Sequence, residues 1–186
     1  MTLDPRLRDE ILAAIPSLRA FAMSLASSAD RADDLVQDTL VRAVTNIHRF
    51  EVGTNLNAWL FTILRNLFHS EYRRRRREVE DADGSYAARL PVLPEQGARL
   101  DFEDFRKALA GIPLDQREAL LLVGAEGLSY EEAAQVCDVA VGTIKSRVNR
   151  ARSRLAQMLS IEQGEEFEPD PTIKAALQGT LGPERG

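Results

Sequence analysis

The sequence predicts an all-α protein, built from two small helical domains that a flexible linker joins. Apolar residues recur at steps of three and four along nearly every periodic stretch, which is the spacing of an amphipathic helix. No stretch shows the strict alternation of a half-buried strand. Two glycines and two prolines interrupt the period between residues 79 and 100, and this predicts the linker. The first domain is then expected over residues 1–78 and the second over residues 101–160.

The composition limits what the chain can do. Of its 186 residues, 44% are hydrophobic and 28% are charged, as in an ordinary globular protein. The net charge of -5 argues against a protein that coats nucleic acid by bulk charge, but not against a local basic surface. The single cysteine, Cys137, rules out an internal disulfide and fits a reducing compartment. Because the sequence shows no signal peptide and no membrane-spanning apolar run, we expect a cytoplasmic protein with no membrane partner.

The first two helices of the first domain are predicted from their starts. Asp4 followed by Pro5 is a helix start, because an aspartate side chain caps the first turn and proline fits its first position. Pro16 lies inside this helix and predicts a break or a kink. Asp30 is the expected cap of the second helix, which contains the acidic stretch "DDLVQDTLVRAV".

The third helix combines aromatic rings with arginines. The stretch "NLNAWLFTILRNLFHSEYRRRRRE" predicts a helix to about Arg77 that buries Leu60, Ile63, Leu64 and Leu67. The residues predicted to point elsewhere are Phe61, Arg65, Phe68, His69 and Tyr72. Interleaved rings and cations suit single-stranded nucleic acid, because bases stack on rings while arginines hold the backbone. A core helix with a solvated basic end explains the same residues equally well.

Residues 129–160 predict a helix-turn-helix. Ser129 and Glu132 have the spacing of a capping box, and a short turn separates their helix from one that starts near Val141. On this last helix an apolar stripe (Ile144, Val148, Ala151, Leu155) lies beside a polar one (Thr143, Arg147, Arg150, Arg154). Residues 141–160 contain five bases and no acid. This split suits a DNA-recognition helix, whereas a solvated basic helix or a coiled coil is the alternative.

Three stretches, taken together, resemble a known protein family. A reader of single strands and a reader of duplex on one chain are what promoter recognition with strand melting requires. "DDLVQDTLVRAV", "NAWLFTILRNLFHSEYRRRRR" and "LDQREALLLVGAEGLSYEEAAQVCDVAVGTIKSRVNRARSRL" resemble the extracytoplasmic-function (ECF) sigma factors of bacterial RNA polymerase, over residues 10–157. The last stretch is most similar to the EcfG-type general stress-response branch. The resemblance implies a sigma-2 domain in residues 1–78 and a sigma-4 domain in residues 101–160.

The resemblance implies three binding surfaces. The acidic second helix would dock on the beta-prime subunit of core RNA polymerase, through Asp33, Asp34, Leu35, Gln37, Asp38 and Arg42. The following loop and the third helix would read and melt the -10 element, through Phe50, Asn55, Asn57, Phe61, Thr62, Arg65, Asn66, His69, Arg73 and Arg74. The helix-turn-helix would read the duplex -35 element, through Ser129, Tyr130, Thr143, Lys145, Ser146, Arg147, Asn149, Arg150 and Arg154. Residues 101–124 would bind the flap of the beta subunit.

Further expectations concern partners and departures from the family pattern. The resemblance implies an anti-sigma factor that hides the polymerase-binding surfaces. Ala140 stands where many relatives have a capping residue such as serine, so the last helix is expected to start without a side-chain cap. Residues 161–186 carry six acids against two bases and are expected to form an acidic tail that competes weakly for the basic faces.

Other classes of function remain open at this point. The sequence offers no phosphate loop, metal-spaced cluster or catalytic triad, so we expect no enzyme, no cofactor, no metal and no small-molecule substrate. A sigma mimic would bind the anti-sigma factor and never touch DNA, but it would need no basic helix. A helix-turn-helix repressor with an N-terminal ligand domain would explain the second domain alone.

Overall fold

A computed structural model describes residues 4–26, 28–80 and 100–159 of the chain. Across these ranges the regular structure is helical and no strand occurs, which confirms the all-α prediction. The chain divides into two compact units between Val92 and Leu93. Most of the predicted linker, residues 81–99, and the whole of the predicted acidic tail lie outside the described residues.

Unit 1, the part before this division, is built from three long helices within the described residues. α1 spans Pro5–Leu25, α2 spans Ala29–Thr45 and α3 spans Leu56–Glu80, with a single 3₁₀ turn at Ile47–Arg49. Each of the three helices packs against the other two. Each helix therefore has two sides that face a neighbour, and only the remainder of its circumference faces solvent.

Large apolar side chains fill the centre of unit 1. Phe21 of α1 and Phe61 of α3 meet edge to face, with 5.2 Å between their ring centroids. Leu18, Leu60 and Leu64 are completely buried around them. Burying one such side chain stabilises the fold by roughly 1.5–3 kcal/mol. These five residues therefore hold α1 against α3.

The helix starts of unit 1 match the sequence prediction in part. Asp4 caps α1 as expected, because its Oδ1 accepts a hydrogen bond from the N–H of Arg6 at 2.8 Å. α2, however, is capped by Ser28, whose Oγ accepts from the N–H of Arg31 at 3.3 Å. Asp30 already lies in the first turn of α2, so its prediction as the cap is wrong. Its carboxylate still complements the helix dipole there.

α1 continues through Pro16, so the predicted break into two helices does not occur. Proline lacks the N–H that would bond the carbonyl of Leu12, one turn earlier. Pro16 and Leu12 are both exposed, and water can satisfy that carbonyl. The helix therefore tolerates proline at this position on its solvent side.

Unit 2, the part after the division, is built from four helices within the described residues. α4 spans Leu100–Ala110, α5 spans Leu114–Gly124, α6 spans Tyr130–Cys137 and α7 spans Val141–Met158. α7 packs mainly against α5, and also against α6 and α4. The core is aliphatic, and its fully buried side chains include Ile112, Leu122, Ile144 and Val148.

One arginine belongs to this core. Arg117 of α5 is only 5% exposed, and its Nη2 donates to the carbonyl oxygens of Ala110 (3.3 Å) and Ile112 (3.1 Å). Ala110 ends α4, where carbonyl groups lack helical donors. Burial lowers the pKa of Arg117, and the neighbouring Glu118 carboxylate opposes that shift. Arg117 thus ties the end of α4 to α5.

Candidate nucleic-acid interface

α6, α7 and the turn between them form the predicted helix-turn-helix. Its capping box is present: Ser129 Oγ accepts from the N–H of Glu132 at 3.1 Å, and Glu132 Oε2 accepts from the N–H of Ser129 at 2.8 Å. The turn begins at Asp138, which adopts a left-handed conformation (φ +53°) that aspartate tolerates better than most residues. Only three residues therefore separate the end of α6 from the start of α7.

α7 presents a polar face to solvent. Five of the predicted -35 contact residues are exposed on it: Thr143, Lys145, Asn149, Arg150 and Arg154. Ser129 of the capping box is exposed too, while Tyr130 and Ser146 are half-buried. Lys145 Nζ lies 5.7 Å from the centroid of the Tyr130 ring, which is within cation–π range. This face offers the donors that phosphates and major-groove base edges require.

Arg147 does not share the exposure of its predicted neighbours. Its side chain is 19% exposed, and its Nε lies 3.2 Å from Oδ2 of Asp115 at the start of α5. Sequence spacing placed Arg147 in one stripe with Thr143 and Arg150, but the packing of α5 covers that edge of α7. Sequence reasoning could not identify Asp115 as its partner, because the two residues lie far apart along the chain.

The start of α7 lacks a side-chain cap, as the sequence predicts. Ala140 occupies the capping position with extended backbone angles (φ -66°, ψ 148°) and makes no side-chain hydrogen bond. Its carbonyl oxygen accepts from the N–H groups of Thr143 (2.9 Å) and Ile144 (3.3 Å), so the first turn closes normally. Only the capping hydrogen bond itself is missing.

The two phenylalanines of α3 point into unit 1. Phe61 is 1% exposed and Phe68 is 5% exposed, so their predicted orientation away from the core is wrong. The reason is that α3 packs against both α1 and α2, which widens its buried side beyond one stripe. Phe61, a predicted -10 contact, therefore has no ring face available to a base in this structure.

The other predicted -10 residues lie at or near the surface. Asn57, Asn66, Arg73 and Arg74 are exposed, whereas Phe50, Thr62, Arg65 and His69 are half-buried. Asn55 is exposed but serves as a cap, because its Oδ1 accepts from the N–H of Ala58 at 3.2 Å. The Thr62 hydroxyl donates to the carbonyl oxygen of Ala58 at 2.9 Å. The Phe50 ring lies 5.4 Å from that of Trp59, which ties the loop to α3.

The loop before α3 belongs to the predicted -10 surface, and it contains an exposed residue that was not among the predicted contacts. Val52 is 88% exposed, the highest value among the exposed large hydrophobic residues. The turn is closed by Thr54, whose Oγ1 donates to the carbonyl oxygen of Glu51 at 2.7 Å, and by Gly53 at φ +97°. The signal available in the sequence was a valine in a turn whose other residues are small or polar.

α2 presents the predicted acidic surface. Asp34, Gln37, Asp38 and Arg42 are exposed. Leu35, also a predicted contact, is only 3% exposed, so its side chain packs inside unit 1 in this structure. Val41, which the prediction omitted, is 60% exposed, and it lies at helical spacing from Asp34 and Asp38. The surface is therefore acidic with an apolar edge.

Asp33, another predicted docking residue, has a partner inside unit 1. Arg19 of α1 donates through Nε to Oδ1 (2.6 Å) and through Nη2 to Oδ2 (3.2 Å) of Asp33. This two-point hydrogen bond raises the pKa of Arg19 above its ordinary value, against a smaller lowering by burial. Both side chains are well exposed (37% and 50%), so the pair is a surface ion pair between α1 and α2.

The cysteine and the histidines show no clustering with other ligand-type residues. Cys137 is buried in α6, His48 is exposed, and His69 lies edge to face beside Phe68 at 5.4 Å. Within the described ranges, no group of three His, Cys, Asp or Glu side chains is suited to holding a metal ion. None of the described helices has the length and apolar character of a membrane span.

Both units match known protein families. The Sigma-70 region 2 family matches residues 11–78, and the Sigma-70 region 4 family matches residues 102–155. The ECF RNA polymerase sigma factor EcfG of Rhodopseudomonas palustris is 65% identical over 179 residues, which cover 96% of this chain and 99% of that protein.

Solved structures agree with these matches, and they show which family the chain belongs to. The sigma factor RpoE of Bartonella quintana, in a co-crystal structure with the anti-sigma factor NepR, is 52% identical with a TM-score of 0.78 and covers 86% of this chain and 100% of that one. PhyRSL of Sphingomonas sp. Fr1, in an NMR structure with NepR, has a TM-score of 0.60 over 87% of this chain and 96% of that one, but at 22% identity it shows the fold alone. With both sigma-70 regions in order and a relative at 65% identity along nearly its whole length, the chain belongs to the ECF sigma factors of RNA polymerase.

Proposed function

We propose that the chain directs core RNA polymerase to the promoters of stress-response genes and that an anti-sigma factor controls it. The observation that carries this proposal is the 65% identity to an ECF sigma factor of the EcfG type, across 96% of the chain. Identity at this level extends through both units and supports a shared function as well as a shared fold. The exposed acidic and basic surfaces described above supply the contacts that this function needs.

In this proposal each unit recognises one promoter element. In unit 2, the exposed face of α7 carries Thr143, Asn149 and Arg150 to the duplex -35 element. In unit 1, the loop at Val52 and the exposed side of α3 read the melted -10 element, with Arg73 and Arg74 holding phosphates. α2 docks on the beta-prime subunit, and the first helices of unit 2 bind the flap of the beta subunit.

The charge balance supports DNA binding that depends on core polymerase. Affinity for DNA rises with the number of phosphates neutralised, and acidic surface elsewhere in the chain opposes it. With a net charge of -5, the free chain should bind promoter DNA weakly. Assembled on core polymerase, its two reading surfaces gain a high effective concentration over the promoter.

An anti-sigma factor of the NepR type is the proposed inhibitor. A relative that is 52% identical is bound to NepR in its crystal structure. The exposed apolar residues Val41, Val44 and Leu12 of unit 1 are suited to burial by such a partner. The chain itself acts without catalytic chemistry, and it acts where core polymerase is found, in the cytoplasm.

Reconstituted transcription tests the proposal. The purified chain is added to sigma-free core polymerase and a pool of promoter fragments, and the start sites are sequenced. We expect specific initiation, lost when Asn66 and His69, or Asn149 and Arg150, are changed to alanine. Addition of a NepR-type protein should abolish it.

Two other outcomes would point to different functions. Binding to NepR without binding to core polymerase would indicate a sigma mimic, a function that the shared fold with PhyRSL leaves open. Binding to a palindromic operator in the absence of polymerase would indicate a repressor. The 65% identity to a sigma factor favours neither.

A further inference from the structure

Arg147 occupies a position on α7 that a simple DNA-contact role does not explain. It follows Ile144, which is completely buried, by three residues. At roughly 100° per residue it lies about 60° around the helix from Ile144, whereas Arg150 lies about 120° around on the same side. Arg147 is thus at the seam between α7 and its neighbour α5, and Arg150 is further toward solvent.

The contacts of Arg147 turn its charged group toward the protein. Its Nε lies 3.2 Å from Oδ2 of Asp115, and its Nη1 is buried without a hydrogen-bond partner. A charged nitrogen buried in this way carries a desolvation penalty, which the Asp115 carboxylate offsets in part. Reaching a DNA phosphate would require Arg147 to leave both Asp115 and its packed position.

Asp115 lies where a positioning role is physically reasonable. It lies in the first turn of α5, the helix against which α7 chiefly packs. Its carboxylate is half-exposed (50%), and the Arg147 side chain is 19% exposed, so water screens the pair only in part. A partly screened pair between two helices resists sliding or rotation of one helix against the other.

We propose that Asp115 is a positioning residue for -35 recognition. Its ion pair holds Arg147 as a strut, meaning a fixed side-chain link between α5 and α7. This strut sets the orientation in which Asn149 and Arg150 meet the base pairs. Arg147 itself contacts neither bases nor phosphates. This inference rests on the proposed function of unit 2 and revises the sequence prediction that Arg147 reads DNA.

Removing the Asp115 carboxylate distinguishes this positioning role from two alternatives, a masked DNA contact and a role in stability alone. If Arg147 were a DNA contact that Asp115 merely masks, Asp115→Ala would release the guanidinium and strengthen DNA binding. If Arg147 is a strut, Asp115→Ala and Arg147→Met remove the same interaction and should have the same effect. If the pair served stability alone, neither change would alter which base pairs are preferred.

The experiment uses the full chain assembled on core polymerase, with templates that carry every single substitution in the -35 element. Initiation rates give the base preference, and DNA binding across a salt series gives the slope of log affinity against log salt. The variants are Asp115→Ala, Arg147→Met, the double variant and Asp115→Glu. Glu131→Gln removes one exposed acid of unit 2 as the charge-matched control.

We expect the two single variants to lower initiation at the preferred -35 element by a similar factor, on the order of threefold. The double variant should be no worse than either. Base preference should shift at the positions that Asn149 and Arg150 read, and Asp115→Glu should restore most of the loss. The salt slope should stay at the wild-type value in all of them, and Glu131→Gln should leave base preference unchanged.

Several results would overturn the inference. A slope that falls by about 0.9 in Arg147→Met would mean that Arg147 neutralises a phosphate. A steeper slope in Asp115→Ala would mean masking, and a proportionate loss on every template would mean stability alone. Arg147→Lys covers the case in which Arg147→Met does not fold. It keeps the charge, so wild-type base preference in that variant would also contradict a strut made by the guanidinium.

Failure of the proposed function would be distinguishable from failure of this inference. If the wild-type chain does not initiate on any template, the function is wrong, whatever the variants do. If the wild-type chain initiates specifically and the variants keep its base preference, the strut is wrong while the function stands.

Discussion

Helices α3 and α7 both present arginines to solvent, but different packing holds them in their units. The buried residues of α3 are large and cover a wide arc: Leu56, Leu60, Phe61, Leu64, Leu67 and Phe68. Those of α7 form a narrow stripe of Ile144, Val148, Ala151 and Leu155. The exposed arginines of α3 follow its packed segment along the chain, whereas those of α7 run beside its stripe.

This difference decides which arginines can meet DNA. Arg73 and Arg74 lie beyond the last buried residue of α3, Phe68, and both are exposed. Arg147 lies alongside the buried stripe of α7, where Asp115 of α5 comes within 3.2 Å of it. An arginine beside a packed face therefore lies within reach of a neighbouring helix, as Arg147 does.

The largest expected effect comes from removing a buried aromatic side chain of α3. Phe61→Ala leaves a cavity against Phe21 and should lower the free energy of unfolding of unit 1 by about 3–5 kcal/mol. Urea unfolding followed by circular dichroism, on the full chain, measures this change. The unfolding of unit 2 should stay where it is, because Phe61 packs within unit 1.

Val52→Ala is the matched control for this loss of apolar volume. Val52 is 88% exposed, so the change should alter stability by less than about 0.5 kcal/mol. A loss below about 1 kcal/mol for Phe61→Ala would contradict the burial of its ring and would return it to the candidates for base contact.

The second prediction compares the exposed cations of the two helices through salt dependence. On duplex -35 DNA, Lys145→Ala with Arg154→Ala should reduce the salt slope of holoenzyme binding by about 1.8, which is two phosphate contacts. On single-stranded -10 DNA, Arg73→Ala with Arg74→Ala should reduce it by about 1.4, since single strands release fewer counterions per contact. Fluorescence anisotropy across a potassium chloride series gives both slopes.

Each pair of substitutions serves as the control for the other, because duplex -35 DNA tests unit 2 and single-stranded -10 DNA tests unit 1. Arg6→Ala, which removes an exposed cation from the first turn of α1, should change neither slope. Equal slope changes on both DNA forms for one pair would contradict the assignment of one DNA form to each unit.

The third prediction concerns the acidic surface of α2, where Asp33 is paired with Arg19 while Asp34 and Asp38 are exposed. Asp34→Asn with Asp38→Asn should weaken binding to core polymerase by about tenfold at low salt, because exposed interface charges contribute mainly through the association rate. Asp33→Asn should weaken it less than about twofold, since its carboxylate already accepts two hydrogen bonds from Arg19. Stopped-flow association with labelled core polymerase measures both. A larger effect of Asp33→Asn would show that the pair opens on docking.

Much of the fold could be predicted from local sequence patterns, because these patterns depend on interactions over only three or four residues. The spacing of Ser129 and Glu132 predicted the capping box, and Asp4 was identified as a cap. At α2 the sequence prediction chose Asp30 as the cap instead of Ser28. Both are good capping residues, and they lie two positions apart. Which of them ends the preceding turn depends on backbone angles that the sequence does not state.

Contacts between distant positions could not be predicted in this way. Asp115 pairs with Arg147 and Arg19 pairs with Asp33, yet the spacing of either pair has no periodic meaning. The inward direction of Phe61 depends on α3 having two packing neighbours, which is a property of the assembled unit. The assignment of exposed residues to promoter elements remains a prediction, and the experiments above are its tests.

The smallest expected effect contrasts the starts of the two helices. α3 begins with a cap, Asn55 Oδ1 on the N–H of Ala58, while α7 begins at Ala140 with none. Ala140 already has the extended backbone angles of a capping residue, so a serine there needs no rearrangement. Ala140→Ser should therefore raise the free energy of unfolding of unit 2 by about 0.5–1 kcal/mol.

Thermal and urea unfolding of the full chain measure this gain, with Ala156→Ser inside α7 as the control that adds the same hydroxyl without a cap. Ala156 is half-buried and serine is a weaker helix former than alanine, so the control should be neutral or slightly destabilising. If Ala140→Ser gains nothing, the first turn of α7 is already held by its packing against α5 and α6. A gain in stability with slower initiation would mean that the uncapped N–H groups of α7 bind the -35 phosphates, as helix N-termini bind anions.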